Sequence, residues 1–476
     1  MKGKTKLAVC VALCWGGLSA NAENRFVSND GTWRARDASG VELEGTCHTS
    51  LTNALVRPNG CVIWVKDDYD SLSDATPMRQ DGSMNARYEI PGGVSSLVIR
   101  GESGDWRTGP TLRGRQDADV ESGCGTAALR VFAKGAQNSS GIELVGLRLE
   151  DGGTPTADLE NVSGWAGCIL GTGAANRLTL RNCLIAGGAS GMGGGVAECT
   201  LVNCVVSNNV AVGSGGGCYQ SVCADSVICA NGTRKESAYY GGGGLAGGSA
   251  TNCVIECNET PASAHGGGAF AADLHACVVR GNSSGRWGGG TSRCTTYCCI
   301  VTNNLQRTES SAVNAGGGGT YGGTNYNALI AFNTANNQGG GDYAGVCYNC
   351  TIVSNVNTLS RGQYAGGVDA AVLVNSISAG NVGALDSVKG ATNSCVQGAA
   401  VTDARYIRCV NGDPKFDAAF RPRARACRDT GLLLDWMIVP TDARARDLAG
   451  NPRVDGSAPD MGCYEIEHFG LLLLFR

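Results

Sequence analysis

The stretch GGGTSRCTTYCCIVTNN, Gly288 to Asn304, sets a glycine triplet, three cysteines and an asparagine pair side by side. Whether those cysteines are ligands, bridges or filler depends on whether the stretch recurs. Triplets end at Gly195, Gly217, Gly244, Gly268, Gly290, Gly319 and Gly341, with an Ala-Gly-Gly version ending at Gly367. Nine positions after each stands a small residue: Cys204, Ser226, Cys253, Cys277, Cys299, Ala328, Cys350 and Ser376. Five further on stands Asn209, Asn231, Asn258, Asn282, Asn304, Asn333, Asn355 and Asn381. A second small column lies four after the triplet, at Cys199, Ser221, Gly248, Ala272, Cys294, Gly323, Gly345 and Ala371.

Units of this length that vary only between the asparagine and the next triplet indicate a solenoid, each unit burying its apolar face against its neighbours. The Val/Ile pairs favour strands, and no unit carries a helical apolar period. The predicted class is therefore all-β: a right-handed single-stranded parallel β-helix, the hand following from the rule for parallel connections. Stacking places equivalent residues about 4.8 Å apart. The asparagine column is then expected to form a hydrogen-bonded ladder.

Residues 1–22 read as an export signal: Lys2, Lys4 and Lys6, an apolar run from Leu7 to Leu18, and Ala20-Asn21-Ala22 before Glu23. Residues 23–95 are expected to hold an N-terminal cap, with a short helix over Ser50 to Val56, and the first strands. The β-helix proper is placed at 96–381 and a C-terminal cap at 382–468, leaving a short apolar tail at 469–476. No later apolar run is long enough to span a bilayer. The chain has a net charge of −4 and no basic block, which argues against nucleic acid.

Cys294 and Cys299 fall in columns whose other members are Ser, Ala and Gly, so volume selects them and buried filler is the expectation; Cys298 belongs to neither column. Vertical disulfides would be strained, because parallel side chains hold Cβ atoms about 4.8 Å apart. Bridges among Cys47, Cys61, Cys395, Cys409, Cys427 and Cys463 remain open. Cys347 and Cys350 form a lone CxxC without a second ligand pair, so no metal site is expected.

Asp342 and Asp369, one and two positions past their triplets in adjacent coils, are the weak catalytic candidates. Between Asn182 and Asn381 stand nine carboxylates and seven Arg or Lys, sparse for acid–base chemistry. The lengthened corners carry Arg234, Lys235, Tyr239, Tyr240, Arg307, Glu309, Arg361 and Tyr364, candidates for ligand binding on one face. Tyr219, Phe270, Tyr321 and Tyr343, each two after a triplet, line up as packing if inside or a glycan platform if outside.

The triplet-plus-asparagine coils resemble bacterial β-helix repeat proteins of the pectin-lyase-like superfamily. Through Gly267-Gly268-Ala269-Phe270 they are loosely similar to polymorphic outer-membrane protein repeats. Asp413-Pro414-Lys415-Phe416, Asp447-Leu448-Ala449-Gly450-Asn451-Pro452-Arg453 and Asp460-Met461-Gly462-Cys463-Tyr464-Glu465 resemble the motifs of choice-of-anchor Q proteins, Cys463 replacing the usual alanine. The resemblance implies an exported bacterial β-helix. The resulting expectation is a secreted or cell-surface, outer-membrane-associated monomer without cofactor, binding an extracellular glycan or surface protein through its corners. The alternative is a polysaccharide lyase or glycoside hydrolase on the same scaffold, and only that reading brings calcium.

Overall fold

The computed structural model describes residues 22–466, except 38, 74–85, 126–127, 135–138, 161–163, 172–176, 309–313 and 360–363. Apart from Ala22, the expected export signal lies outside the described residues, as do the apolar tail, Glu309 and Arg361.

One coil shows how the sequence makes the turn. From Gly288 to Asn304 the backbone enters the left-handed region at Gly288 (φ 65°), Arg293 (φ 54°), Cys298 (φ 51°) and Asn303 (φ 55°). Between these corners run strands Thr291–Tyr297 and Ile300–Thr302, followed by Leu305–Gln306. Each strand pairs in parallel and in register with its equivalents one coil below and above, as Thr296 does with Leu274 and Asn325. Among the described strands the result is a parallel β-helix: a wide sheet of 24 strands, a second of 12, and a third face divided into sheets of three and four. A single apolar core, from Val27 to Ala399, fills the interior.

The triplet and the asparagine depend on one another. A Cβ at Gly289 would lie 2.4 Å from the Gly318 carbonyl oxygen, and one at Gly290 2.9 Å from Asn304 Nδ2. Glycine therefore lets the coils approach and leaves room for the amide. Asn304 Oδ1 accepts from Asn282 N (2.9 Å) and Asn282 Nδ2 (3.0 Å), while its own Nδ2 donates to Val279 O (3.0 Å) and Asn333 Oδ1 (2.9 Å). The same pattern runs from Asn209 through Asn231, Asn258, Asn282, Asn304, Asn333 and Asn355 to Asn381. At its top, Asn381 Nδ2 turns to Ser378 Oγ at 3.0 Å. There Asp386 replaces the missing next triplet: one carboxylate oxygen accepts from Gly367 N (3.1 Å) and Val368 N (3.0 Å), and the other from the Ser378 hydroxyl.

The small columns prove to be polar as well as small. Cys277 Sγ donates to Ala250 O and His275 O, while its backbone N donates to Cys299 Sγ at 3.4 Å. Ser226 and Ser376 do the same with hydroxyls, receiving Cys204 N and Cys350 N. Where the column holds serine or cysteine, the compact group both donates and accepts, so the two are interchangeable there, while Ala328 fills the same space without those bonds. Burial pushes the Cys294 thiol up to about 12. Cys347 and Cys350 both lie inside the core, and every described cysteine is a free thiol.

Two expected boundaries move. The coils begin before residue 96, because Glu23–Val27 pairs with Cys61–Val65, that strand with Leu97–Gly101, and that with Ile142–Val145. Long irregular connections hide this periodicity in the sequence. The helix occupies Leu51–Ala54; Ser50 Oγ accepts Asn53 N at 3.1 Å, and Arg25 Nη1 donates to the Ala54 and Val56 carbonyls. At the other end the sheets continue past Asn381 through Ser387–Thr392, Cys395–Val396 and Tyr406–Ile407.

The segment from Asp413 onward, expected as part of an end cap, runs along the flank of the last coils. Left-handed corner residues hold it: Asn327 Nδ2 donates to Arg444 O and Arg446 O, Asn349 Nδ2 to Asp460 O, Asn375 Nδ2 to Leu432 O and Asn393 Nδ2 to Thr430 O. Cys298, the cysteine outside the columns, points its sulfur at Arg446 O and Asp447 O (3.5 and 3.6 Å). Phe416, Phe420 and Cys463 pack against Leu329 and Val353 on the outer side of the second sheet.

Candidate binding surface

Along the wide sheet, strand alternation turns one residue of each coil outward at equivalent positions. Phe270, Ser292, Tyr321 and Tyr343 are in register, and so are His275, Tyr297, Tyr326 and Tyr348. The second set forms a continuous stack, with ring centroids 4.3, 5.3 and 5.1 Å apart and planes within 10° of parallel. These rings sit seven positions after the last glycine of their triplets, where other coils carry Val202, Ala224, Thr251 and Val374. The spacing arithmetic that finds the asparagines finds this row too; it was overlooked because only half the coils carry a ring there.

The first set is completed by residues that precede the triplets. His265 stacks on Trp287 at 4.4 Å, and Trp287 on Tyr321 at 5.5 Å, followed by Tyr321 and Tyr343 at 5.6 Å; Phe270 lies 5.2 Å from His265. Tyr219 stands apart from this row and meets Trp165 edge-on. Arg286 lies over the Trp287 ring at 3.7 Å. Burial, reinforced by Arg293, lowers His265 to about 4, so it is neutral near pH 7, with Nδ1 2.9 Å from Ser292 Oγ.

Both rows are outward and half-buried for the most part, yet their ring faces lie against one another. What they offer solvent is ring edge and hydroxyl, with open faces only at the row ends. Between them the outward positions are Asp273, Thr295, Thr324 and Val346. The result is a strip of regularly repeated hydroxyls, bordered on one side by Trp436 and Arg444 from the C-terminal segment, which meet Tyr326 at 5.8 and 5.4 Å.

The catalytic candidates are not brought together. Asp342 pairs with Val368, and Asp369 with Tyr343, so the carboxylates lie on opposite faces of the sheet. Asp342 is fully buried in the core, accepting from the Thr320 hydroxyl and Gly345 N (3.0 Å), and burial raises it to about 6. Asp369 faces outward, raised by partial burial.

The corner candidates divide. Tyr239 is 85% exposed, and Lys235 Nζ lies 5.0 Å from the Tyr240 ring centre. Arg234 donates to Glu121 O, and Arg307 pairs with Glu259 and bonds Ser283 Oγ (2.8 Å) and the Thr260 carbonyl, stitching successive coils. Tyr364 accepts Ala384 N through its backbone carbonyl at 2.9 Å.

No family model and no curated protein matches the chain. Solved structures similar to it include the pectate lyase Pel9A, 12% identical, covering 94% of this chain and 98% of that one with a TM-score of 0.36. The PL6 family alginate lyase AlyGC is 10% identical, covering 78% of this chain and 54% of that one at a TM-score of 0.31. A pectin methylesterase mutant in complex with a hexasaccharide is 12% identical, covering 87% and 100% at a TM-score of 0.19.

Proposed function

We propose that this is an exported, monomeric β-helix that holds an extended glycan along the outer face of its wide sheet without cleaving it. The observation that carries the reading is the row His275, Tyr297, Tyr326 and Tyr348, which sets three phenol hydroxyls one coil apart beside Thr295 and Thr324. Over four coils this strip is about 14 Å long. A repeating hydroxyl polymer finds matching partners there at every coil. A peptide adding as a strand would need a free sheet edge, and along the strip each strand is already paired on both sides.

Asp273 in the strip and Asp369 beyond its end stand four coils apart, about 19 Å. The acid and base of glycoside hydrolysis stand about 5–9.5 Å apart. That separation is too wide for these two carboxylates to serve together in glycoside hydrolysis. Export and a place at the cell surface rest on the N-terminal pattern and the motif resemblance. The motif residues Asp447, Arg453, Asp460 and Glu465 are buried and bonded to one another in a structural knot.

Affinity electrophoresis of the full chain against linear neutral and acidic polysaccharides tests the reading. The triple variant Tyr297→Phe, Tyr326→Phe, Tyr348→Phe keeps the stack and removes its hydroxyls. We expect it to bind about tenfold more weakly, roughly one net hydrogen bond. Unchanged affinity would remove the strip from the function, and release of unsaturated or reducing sugars would replace binding by catalysis.

A further inference from the structure

The C-terminal segment contains a run that the solenoid does not explain. Arg421-Pro422-Arg423-Ala424-Arg425-Ala426-Cys427-Arg428 places four arginines in eight residues of a chain whose net charge is −4. Three of them, Arg421, Arg423 and Arg428, line a half-open cavity of about 400 Å³ whose other polar residues are Asp417, Asn451 and Glu465. That volume falls within the roughly 300–1,000 Å³ range of small-molecule sites.

The positive charge there is poorly matched. Arg423 has a loose partner in Asp417 at 3.8 Å. Arg421 lies over the Tyr464 ring at 5.5 Å, and among the described residues its guanidinium and that of Arg428 have no hydrogen-bond or ion-pair partner. Glu465, 5% exposed, is tied on one oxygen to Arg453 Nη2 (2.5 Å) and Asp460 N (2.9 Å).

The walls are fixed before any ligand arrives. Arg421 N donates to Asp417 Oδ1 (3.0 Å), and Arg423 N and Ala424 N to Pro414 O (both 3.0 Å). Cys427 anchors the far end in the cluster of Ile377, Cys395 and Met461. Such anchoring lowers the ordering cost of binding. Guanidinium forks recognise a planar carboxylate through paired hydrogen bonds. The remaining polar lining supplies acceptors for hydroxyl donors from Asp417 and Asn451, while burial raises the Glu465 carboxyl to about 8 and keeps it neutral near pH 7.

We propose that this cavity binds a carboxylated monosaccharide, a hexuronate or a sugar acid of similar size, with Arg421 and Arg428 taking the carboxylate and Asp417 and Asn451 the hydroxyls. The site shares no residue with the aromatic strip, so either can fail without the other.

Isothermal titration of the full chain with glucuronate and galacturonate, against glucose, galactose and inorganic phosphate, tests the assignment. The expected result is saturable binding of at least one uronate and none of its neutral counterpart. That binding should fall at least about tenfold in Arg421→Gln/Arg428→Gln. The double variant removes no protein hydrogen bond and should keep the wild-type melting midpoint and its polysaccharide binding. Should it fail to fold, Arg428→Lys, which retains charge and loses the fork, is expected to weaken the uronate alone. Absence of saturable uronate binding, equal binding of the neutral sugar, tighter binding of phosphate, or indifference to the variants would overturn the proposal.

Discussion

Asn282 sits in the middle of the amide column, taking Asn258 N and Nδ2 on its oxygen and giving its own Nδ2 to Ile255 O and Asn304 Oδ1. Asn282→Ala leaves buried donors and a carbonyl unmatched, and each such loss costs about 1–3 kcal/mol. We expect at least about 3 kcal/mol of destabilisation in urea unfolding. Asp342 behaves differently. Its folded value of about 6 lies above the ordinary 3.8, so the folded state holds the proton more tightly. Its contribution is intact below pH ~4 and is lost as the pH rises toward ~6, about 3 kcal/mol in all. Asp342→Asn, whose amide can donate to Thr320 and accept from Gly345, should flatten stability across that window and raise the melting temperature at pH 7. The amide column was plain in the sequence because stacking repeats it at fixed spacing. Pairing Asp342 with Asp369 failed because adjacent strand positions alternate faces, a rule available without coordinates.

The C-terminal segment depends on corner residues that the sequence reading passed over. Asn375, at φ 52°, exchanges two hydrogen bonds with Leu432, Nδ2 to its carbonyl at 2.8 Å and Oδ1 from its N–H at 2.6 Å. Asn375→Gly keeps the backbone shape and loses both bonds, whereas Asn375→Ala adds left-handed strain of about 1–2 kcal/mol. We expect both to speed tryptic cleavage at Arg425 and Arg428, alanine more than glycine, and an unchanged rate would mean the segment is held elsewhere. The runs that carry the motif resemblance were visible in the sequence. Their position was not, because a flank and an end present the same apolar residues, and only the corner amides distinguish them.

Across the whole molecule, each coil rests mainly on its two neighbours, so stability should add coil by coil. Excising residues 259–282 removes one complete turn below the coils that carry the C-terminal segment and lets Asn258 meet Asn304. We expect a folded, cooperative protein about 4.8 Å shorter by small-angle scattering. Removing residues 334–355 instead shifts the corner amides against their partners and should release the flanking segment. The repeat made this architecture readable in advance. The first described coil, at Glu23–Val27, was not, because the early turns carry long connections without triplets.

Asp386 also bears on where another strand could add to the stack. An open stack of parallel turns is a template on which another chain could continue, as cross-β fibrils do. With its carboxylate seated on the Gly367 and Val368 amides, Asp386 occupies donors that an added strand would need at that corner, while Ser387–Thr392 and Tyr406–Ile407 continue the wide sheet beyond it.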